Sequence, residues 1–146
     1  MFDFYKYIET FNSGDDKSML DQFWVNDLEV WSGRGGNARL LASGKKGFLD
    51  FLTFVHVGVR ELIRVQVLLQ NEANLFAEID MDFVFLKDRP DYPFGSYRAG
   101  ERITVKMFCL YFLRGDKIAK LKMASWDPNQ GVSVPPTQSF GPPFPL

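Results

Sequence analysis

The stretch ELIRVQVLLQNEANLFAEIDMDFVFL, residues 61–86, decides the fold that this sequence predicts. Apolar and polar residues alternate over residues 61–70 and again over residues 75–86, which is typical of β-strands. The polar tetrapeptide between them, residues 71–74, is typical of a turn. The stretch therefore predicts a long antiparallel hairpin.

The turn also predicts a register for this hairpin. In its simplest form it places Arg64 opposite Met81 and Val67 opposite Glu78, whereas a bulge would shift these pairs. Residues 102–113 and 117–126 predict a second hairpin around a Gly-Asp turn.

The residues before this sheet predict short helices. Apolar side chains recur at helical spacing over residues 3–12, after Asp15 or Asp16, and from Ser43 to Val55. Helices followed by a curled antiparallel sheet predict an α+β fold in which about three N-terminal helices close a cone-like, strongly curved antiparallel or mixed sheet. Such a cone encloses a pocket.

The chain is long enough for one domain, which we place at residues 1–127. Residues 128–146 form a Pro-rich C-terminal tail. The loop over residues 87–100 has the length of a functional lid.

Composition narrows the function. Aromatic residues make up 16% of the chain, more than a minimal core needs, so some of them should line a pocket or an interface. The net charge of -1 offers no field for nucleic acid or for an anionic membrane, and no apolar run is long enough to span a bilayer. A single Cys and a single His favour neither a disulfide nor a metal centre, and no cofactor is expected. We predict a cytoplasmic protein.

Charge indicates which face of the sheet lies inward. Glu78, Asp80 and Asp82 share one face of their strand, and lysines share one face of the last two strands, so both sets belong on the outer, solvated side. The same alternation places Phe108, Leu110 and Phe112 outward, which predicts a homodimer through this face. The predicted ligand-binding wall comprises Trp31, Arg64, Gln66, Met81, Met107, Cys109, Tyr111, Met123 and Ser125.

Several segments resemble a known family. Residues 6–9, 12–15 and 26–30 resemble the opening of the nuclear transport factor 2-like superfamily, particularly its ketosteroid isomerase and SnoaL-like polyketide cyclase branches. The turns at residues 71–73 and 115–118 fit the same family. The resemblance implies helices that close over a strongly bent sheet with a ligand pocket between them.

The resemblance also implies site residues. Tyr7 lies where the isomerase branch has a hydrogen-bond-donating tyrosine, but Trp31 and Ser32 occupy the place of its general base, and Cys109 lies near that of its second acid. Steroid isomerisation by that mechanism is therefore not expected. The epoxide hydrolase branch uses an Arg-x-Asp on a strand, whereas the Arg-x-Asp of this chain, residues 89–91, is in the long loop.

The candidate catalytic residues are Tyr7, His56 and Asp127. Tyr7 would donate to a carbonyl, His56 or Asp127 would move a proton, and Arg64 with Gln66 would orient a small apolar ligand. His56 could instead cap a helix, and Asp127 could start a turn. The sequence thus predicts a cofactor-free isomerase, dehydratase or cyclase acting on a small apolar cyclic metabolite. The alternative is a non-catalytic ligand-binding or dimeric interaction module of the same fold.

Overall fold

The computed structural model describes residues 1–34 and 37–126 of the chain. Asp127 and the predicted Pro-rich tail, residues 128–146, lie outside the described residues. Within the described part, the helices are α1 (Phe4–Asn12), α2 (Asp16–Phe23) and α3 (Gly44–His56). The strands are β1 (Trp24–Arg34), β2 (Asn37–Ser43), β3 (Val59–Gln70), β4 (Asn74–Phe85), β5 (Arg89–Tyr92), β6 (Gly95–Tyr97), β7 (Arg102–Arg114) and β8 (Lys117–Ser125).

The first two helices begin at aspartates that cap them. The Asp3 carboxylate accepts a hydrogen bond from the backbone N–H of Lys6 at 3.0 Å, and the Asp15 carboxylate accepts one from Ser18 at the same distance. Each cap satisfies a backbone donor that the first helical turn leaves free. The inner faces of α1 and α2 carry buried apolar residues: Phe4, Tyr7, Ile8, Phe11, Met19, Leu20 and Phe23.

Six strands form the main sheet in the order β2-β1-β8-β7-β4-β3. The β1–β8 pair is parallel and the other pairs are antiparallel, so the sheet is mixed. β2 and β3 lie at opposite edges, and α3 connects them across the inner face. The structure thus has the predicted α+β architecture. It adds β2, for which the short apolar run in residues 37–43 gives no clear periodicity, and the β5–β6 hairpin within the predicted loop.

The register of the β3–β4 hairpin is only partly as predicted. Val67 lies opposite Glu78 as expected, but a bulge between Val65 and Val67 shifts the rest of the ladder by one residue. Arg64 therefore lies opposite Asp80, and the predicted pairing with Met81 is wrong. A shift of one residue moves every side chain beyond it to the other face of the sheet.

The predicted outward orientation of the acidic residues on β4 and of Lys106 on β7 is confirmed. The Nζ atom of Lys106 lies 2.7 Å from Glu78 Oε1 and 3.0 Å from Asp80 Oδ1 on the outer face. The inward neighbours on β4, Ala77 and Ile79, are fully buried. No helix in the described part of the chain is long and apolar enough to cross a membrane.

The contrast between two neighbours in α1 tests this packing. Phe4 is 2% exposed and packs edge-on against Tyr111, with ring centroids 5.3 Å apart, whereas Tyr5 is 63% exposed. We expect Phe4→Ala to lower the free energy of unfolding by about 3–5 kcal/mol, because it leaves a core cavity. The matched control Tyr5→Ala should change it by less than about 0.5 kcal/mol. Urea denaturation measures both values, and equal losses would contradict the assigned faces of α1.

Candidate functional site

A cavity of about 430 Å³ lies between α3 and the inner face of the sheet. This volume is within the range of small-molecule pockets. Most of the wall is apolar or aromatic, so water leaves it easily and buried polar groups on it interact strongly. The lining residues are Tyr7, Phe11, Ser32, Arg39, Leu41, Phe48, Phe51, Leu52, Val55, Glu61, Ile63, Ile79, Met81, Phe83, Tyr92, Pro93, Phe94, Met107, Cys109, Tyr111, Leu121, Met123 and Ser125.

Seven residues singled out from the sequence lie on this wall. They come from α1 and from three adjacent strands of the sheet. The side chains of each strand point alternately inward and outward. Their side chains therefore surround one space although they are far apart in sequence. The seven are Tyr7, Met81, Met107, Cys109, Tyr111, Met123 and Ser125.

Arg64 and Gln66 do not belong to the cavity, and their predicted place on its wall is wrong. The Arg64 guanidinium lies on the outer face, where Nε donates to Asp82 Oδ2 at 2.8 Å and Nη2 donates to Asp82 Oδ1 at 3.1 Å. Gln66 is exposed at the bulge. The bulge is the physical cause, because it reverses the faces of β3 on its N-terminal side.

The prediction for Trp31 is also wrong. Trp31 pairs with Lys122 on the outer face, and its indole Nε1 donates to Glu29 Oε2 at 2.9 Å. The next residue, Ser32, lines the cavity instead. A one-residue difference suffices because neighbouring residues of a strand point to opposite faces.

Among the described residues, Glu61 is the carboxylate on the cavity wall. Its side chain is 4% exposed, and its Oε2 lies 2.9 Å from Nε2 of His56. The other ring nitrogen, Nδ1, lies 2.8 Å from Asp16 Oδ2. The imidazole thus bridges two carboxylates, one from α2 and one from β3. His56 itself ends α3 and is absent from the cavity wall among the described residues.

Burial and pairing shift the pKa values of His56 and Glu61 in a definite direction. Burial lowers the pKa of His56, but the hydrogen bonds and charges of Asp16 and Glu61 outweigh it and raise the pKa to about 9. Burial raises the pKa of Glu61 above its usual value, although the His56 hydrogen bond partly opposes the shift. At neutral pH the imidazole is therefore a cation that donates from both nitrogens, beside a carboxylate that takes up a proton more readily than an exposed one.

Three tyrosines line the same wall: Tyr7, Tyr92 and Tyr111. Burial raises the pKa of each, so all three stay protonated and can donate hydrogen bonds at any physiological pH. The Tyr92 hydroxyl is buried and has no hydrogen-bond partner among the residues that the structure describes. The nearby Glu61 carboxylate further raises the pKa of Tyr92.

Arg89 fixes the segment that carries Tyr92. Its Nη1 donates to the backbone carbonyl of Val57 at 2.7 Å, just beyond α3. Its guanidinium also lies about 5 Å from the ring centroids of Phe54 and Tyr92. The Arg-x-Asp sequence of residues 89–91 thus anchors the β5–β6 hairpin to the end of α3, beside the cavity.

The sequence did not reveal Asp16, Glu61, Arg39 or Tyr92 as site residues. Asp16 and Glu61 lie 40 and 5 positions from the histidine that joins them, with no local spacing that links them. If the alternation seen after the bulge is continued back along β3, Glu61 falls on the outer face.

A metal centre is not formed by this triad. Asp16 and Glu61 hold opposite nitrogens of the His56 ring, so the three side chains do not converge on one point. In the described ranges, no group of three or more His, Cys, Asp and Glu side chains is arranged to hold a metal ion.

The same fold is found in solved structures of other proteins. A protein from Xanthomonas campestris, provisionally described as a polyketide cyclase, is 22% identical, with a TM-score of 0.64 over 83% of this chain and 84% of its own. One from Pseudomonas putida with the same provisional description is 21% identical, with a TM-score of 0.64 over 84% and 87%. A SnoaL-like polyketide cyclase from Agrobacterium tumefaciens is 18% identical, with a TM-score of 0.63 over 85% and 88%.

These likenesses identify the fold. The chain has the nuclear transport factor 2-like fold, as the resemblance in its sequence implied. The sequence itself matches no protein-family model and, at a significant level, none of the curated proteins.

The triad makes a testable prediction, because His56 is the only histidine in the chain. Its ring should titrate by NMR with a pKa of about 9. The pKa of the folded state is above that of the unfolded chain, about 6.5. The contribution of this group to stability is therefore fully present below about pH 6.5 and is lost as pH rises through about 9.

The control variant for this measurement is Asp16→Asn. It removes one of the two carboxylates that raise the pKa, so the titration midpoint of His56 should fall. A midpoint near the ordinary value in the unmodified protein would contradict the charged triad.

Proposed function

We propose that the protein catalyses a cofactor-free proton transfer on a small, largely apolar, cyclic metabolite. Isomerisation, dehydration and aldol-type cyclisation all belong to this class. The observation that supports it is the Glu61 carboxylate, which is buried on an apolar cavity wall and hydrogen-bonded by a charged imidazole. A general base works best when its pKa is near the operating pH, and burial moves the pKa of Glu61 in that direction.

In this proposal Glu61 is the base and His56 a positioning residue. Glu61 Oε2 is held by His56, so the second carboxylate oxygen is the one that takes a proton from carbon or oxygen of the substrate. His56 acts through Glu61: its positive charge keeps the carboxylate ionised and its ring fixes the orientation. Asp16 in turn fixes the ring. Asp127, which the sequence predicts as a catalytic residue, stays a prediction.

The tyrosines supply the acidic partner. Removing a proton next to a carbonyl puts negative charge on the carbonyl oxygen, and a hydrogen-bond donor aimed at that oxygen stabilises it. Tyr7 is the donor that the sequence predicts, and the unpartnered hydroxyl of Tyr92 near Glu61 offers a second. The solved structures with this fold that are described as polyketide cyclases support the same class of chemistry.

A probe reaction tests the base without knowledge of the substrate. In 5-nitrobenzisoxazole a base removes the C–H proton of the isoxazole ring, the nitrile forms and the N–O bond breaks, which gives a coloured cyanophenolate; the molecule is small enough for an apolar cavity of this size. We expect Glu61→Gln to lower the protein-dependent rate about a hundredfold, because the base is lost while the shape is kept. Absorbance of the product measures the rate.

The matched control is Glu72→Gln, which makes the same change on an exposed turn and should leave the rate unchanged. His56→Gln should move the pH–rate profile to higher pH, because the hydrogen bond and charge of His56 lower the pKa of Glu61. If Glu61→Gln retained the full protein-dependent rate, Glu61 would not be the base. If the unmodified protein bound the probe without accelerating its opening, the protein would be the non-catalytic ligand-binding module instead.

We also propose a homodimer through the outer face of the sheet. Phe108 stacks between Phe76 and Trp126 there, with ring centroids 6.2 and 5.8 Å away. Such a row of partly exposed apolar side chains is typical of an interface.

The charges around this row fit a second copy of the chain. On one side of β7, the neighbouring β4 carries Glu78 and Asp80; on the other side, β8 carries Lys120 and Lys122. A two-fold axis near β7 would bring the acidic side of each copy over the lysine side of the other. The second copy is therefore the occupant that we propose.

Sedimentation at micromolar concentration tests the dimer. We expect two chains in the unmodified protein and one in Phe108→Lys, because a buried unpaired ammonium is costly. Tyr5→Lys, on the exposed face of α1, is the control and should remain dimeric. A monomeric unmodified protein would contradict the proposal.

The cytoplasmic location also stays a proposal. It is supported by the single cysteine, Cys109, because proteins of oxidising compartments more often carry cysteines in disulfide pairs.

A further inference from the structure

Arg39 is the cation that lines the cavity among the described residues. It lies on β2, opposite Ser32 of β1, and both side chains point to the inner face. Arg39 is exposed and yet belongs to the wall, which places it at the opening of the cavity. In the part of the chain that the structure describes, no carboxylate lies within salt-bridge distance of its guanidinium.

Glu61 lies on the opposite side of the same space. β2 and β3, which carry Arg39 and Glu61, are the two edge strands of the six-stranded sheet. The wall between them is formed by apolar side chains, including Met81, Met107 and Met123. The cavity therefore has a cationic end and a carboxylate end, with an apolar middle.

This arrangement favours one orientation of a charged ligand. An anionic group is attracted to Arg39 and repelled by the Glu61 carboxylate, and both effects are stronger beside apolar surface than in water. A guanidinium also presents a planar set of donors that fits the oxygens of an acidic group. Ser32, the cross-strand partner of Arg39, offers a further hydroxyl on the same wall.

We propose that the cavity takes an amphipathic organic acid whose anionic group binds Arg39 at the opening. Its apolar body fills the middle of the cavity, and its uncharged end reaches Glu61 and Tyr92. The reaction at that end rests on the proposed function, whereas the anion site at Arg39 does not. The substrate class is thus narrowed to apolar acids that carry a neutral reacting group away from the acidic one.

A pair of fluorescent dyes tests the anion site. N-phenyl-1-naphthylamine is neutral, and its 8-sulfonate has the same apolar body with one negative charge. We expect Arg39→Gln to weaken binding of the sulfonate about tenfold, which is the loss of one charge-assisted hydrogen bond, and to leave the neutral dye unchanged. Arg39→Lys should recover part of the loss because it restores the charge.

Two further variants complete the experiment. Arg114→Gln makes the same change at the β7–β8 turn and should affect neither dye. Met123→Trp fills the cavity and should weaken both. Equal losses of both dyes in Arg39→Gln, or an equal loss of the sulfonate in Arg114→Gln, would overturn the proposal. So would full binding of the dyes to Met123→Trp.

The outcome is independent of catalysis. Dye binding involves no proton transfer, so a failure of Glu61 as the base would appear in the benzisoxazole rates and leave the dye results unaffected. Conversely, if Glu61→Gln lowered the benzisoxazole rate but Arg39→Gln did not selectively weaken binding of the sulfonate, only the proposed anion site would be overturned.

Discussion

The bulge at Gln66 is the constraint on which the site depends. The bulge adds one residue to β3. In the N-terminal half of this strand, each side chain therefore points to the opposite face from the one that the hairpin turn predicts. Glu61 and Ile63 then lie inward on the cavity, and Arg64 lies outward against Asp82. Without the bulge a guanidinium would face the core and the candidate base would face water. One inserted residue therefore bends the strand and also decides the chemistry of the pocket.

The inward turn of Glu61 has an electrostatic consequence. A buried carboxylate loses its hydration, which destabilises the charged form unless a partner compensates. His56 compensates Glu61, and Asp16 compensates His56, so the charges alternate from α2 through the end of α3 to β3. Three elements, of which α2 is distant in sequence from the other two, are thus joined at one point. The same point lies at one end of an apolar cavity, and Arg39 lies at the other edge of the sheet.

Much of this architecture follows from local patterns in the chain. Helix starts at Asp3 and Asp15 follow from the preference of aspartate for capping positions. The outward orientation of Lys106 follows from strand alternation and from its acidic neighbours, and it places Met107 and Cys109 inward. The predictions for Trp31, Arg64 and Gln66 are wrong because each depends on assigning a residue to one face of a strand. Such an assignment is correct only if no residue is inserted and if the alternation is counted from the right residue.

Alternation, helix caps and turn composition by themselves determined an α+β cone with a pocket, because each depends on neighbours within a few residues. Only the tertiary structure decided which polar side chains enter that pocket. The phase of β3 depends on how the bent sheet closes, and the contact of Asp16 with His56 depends on how α2 packs against the end of α3. Both are long-range effects, and the energy of a buried charge depends on partners that no local pattern encodes.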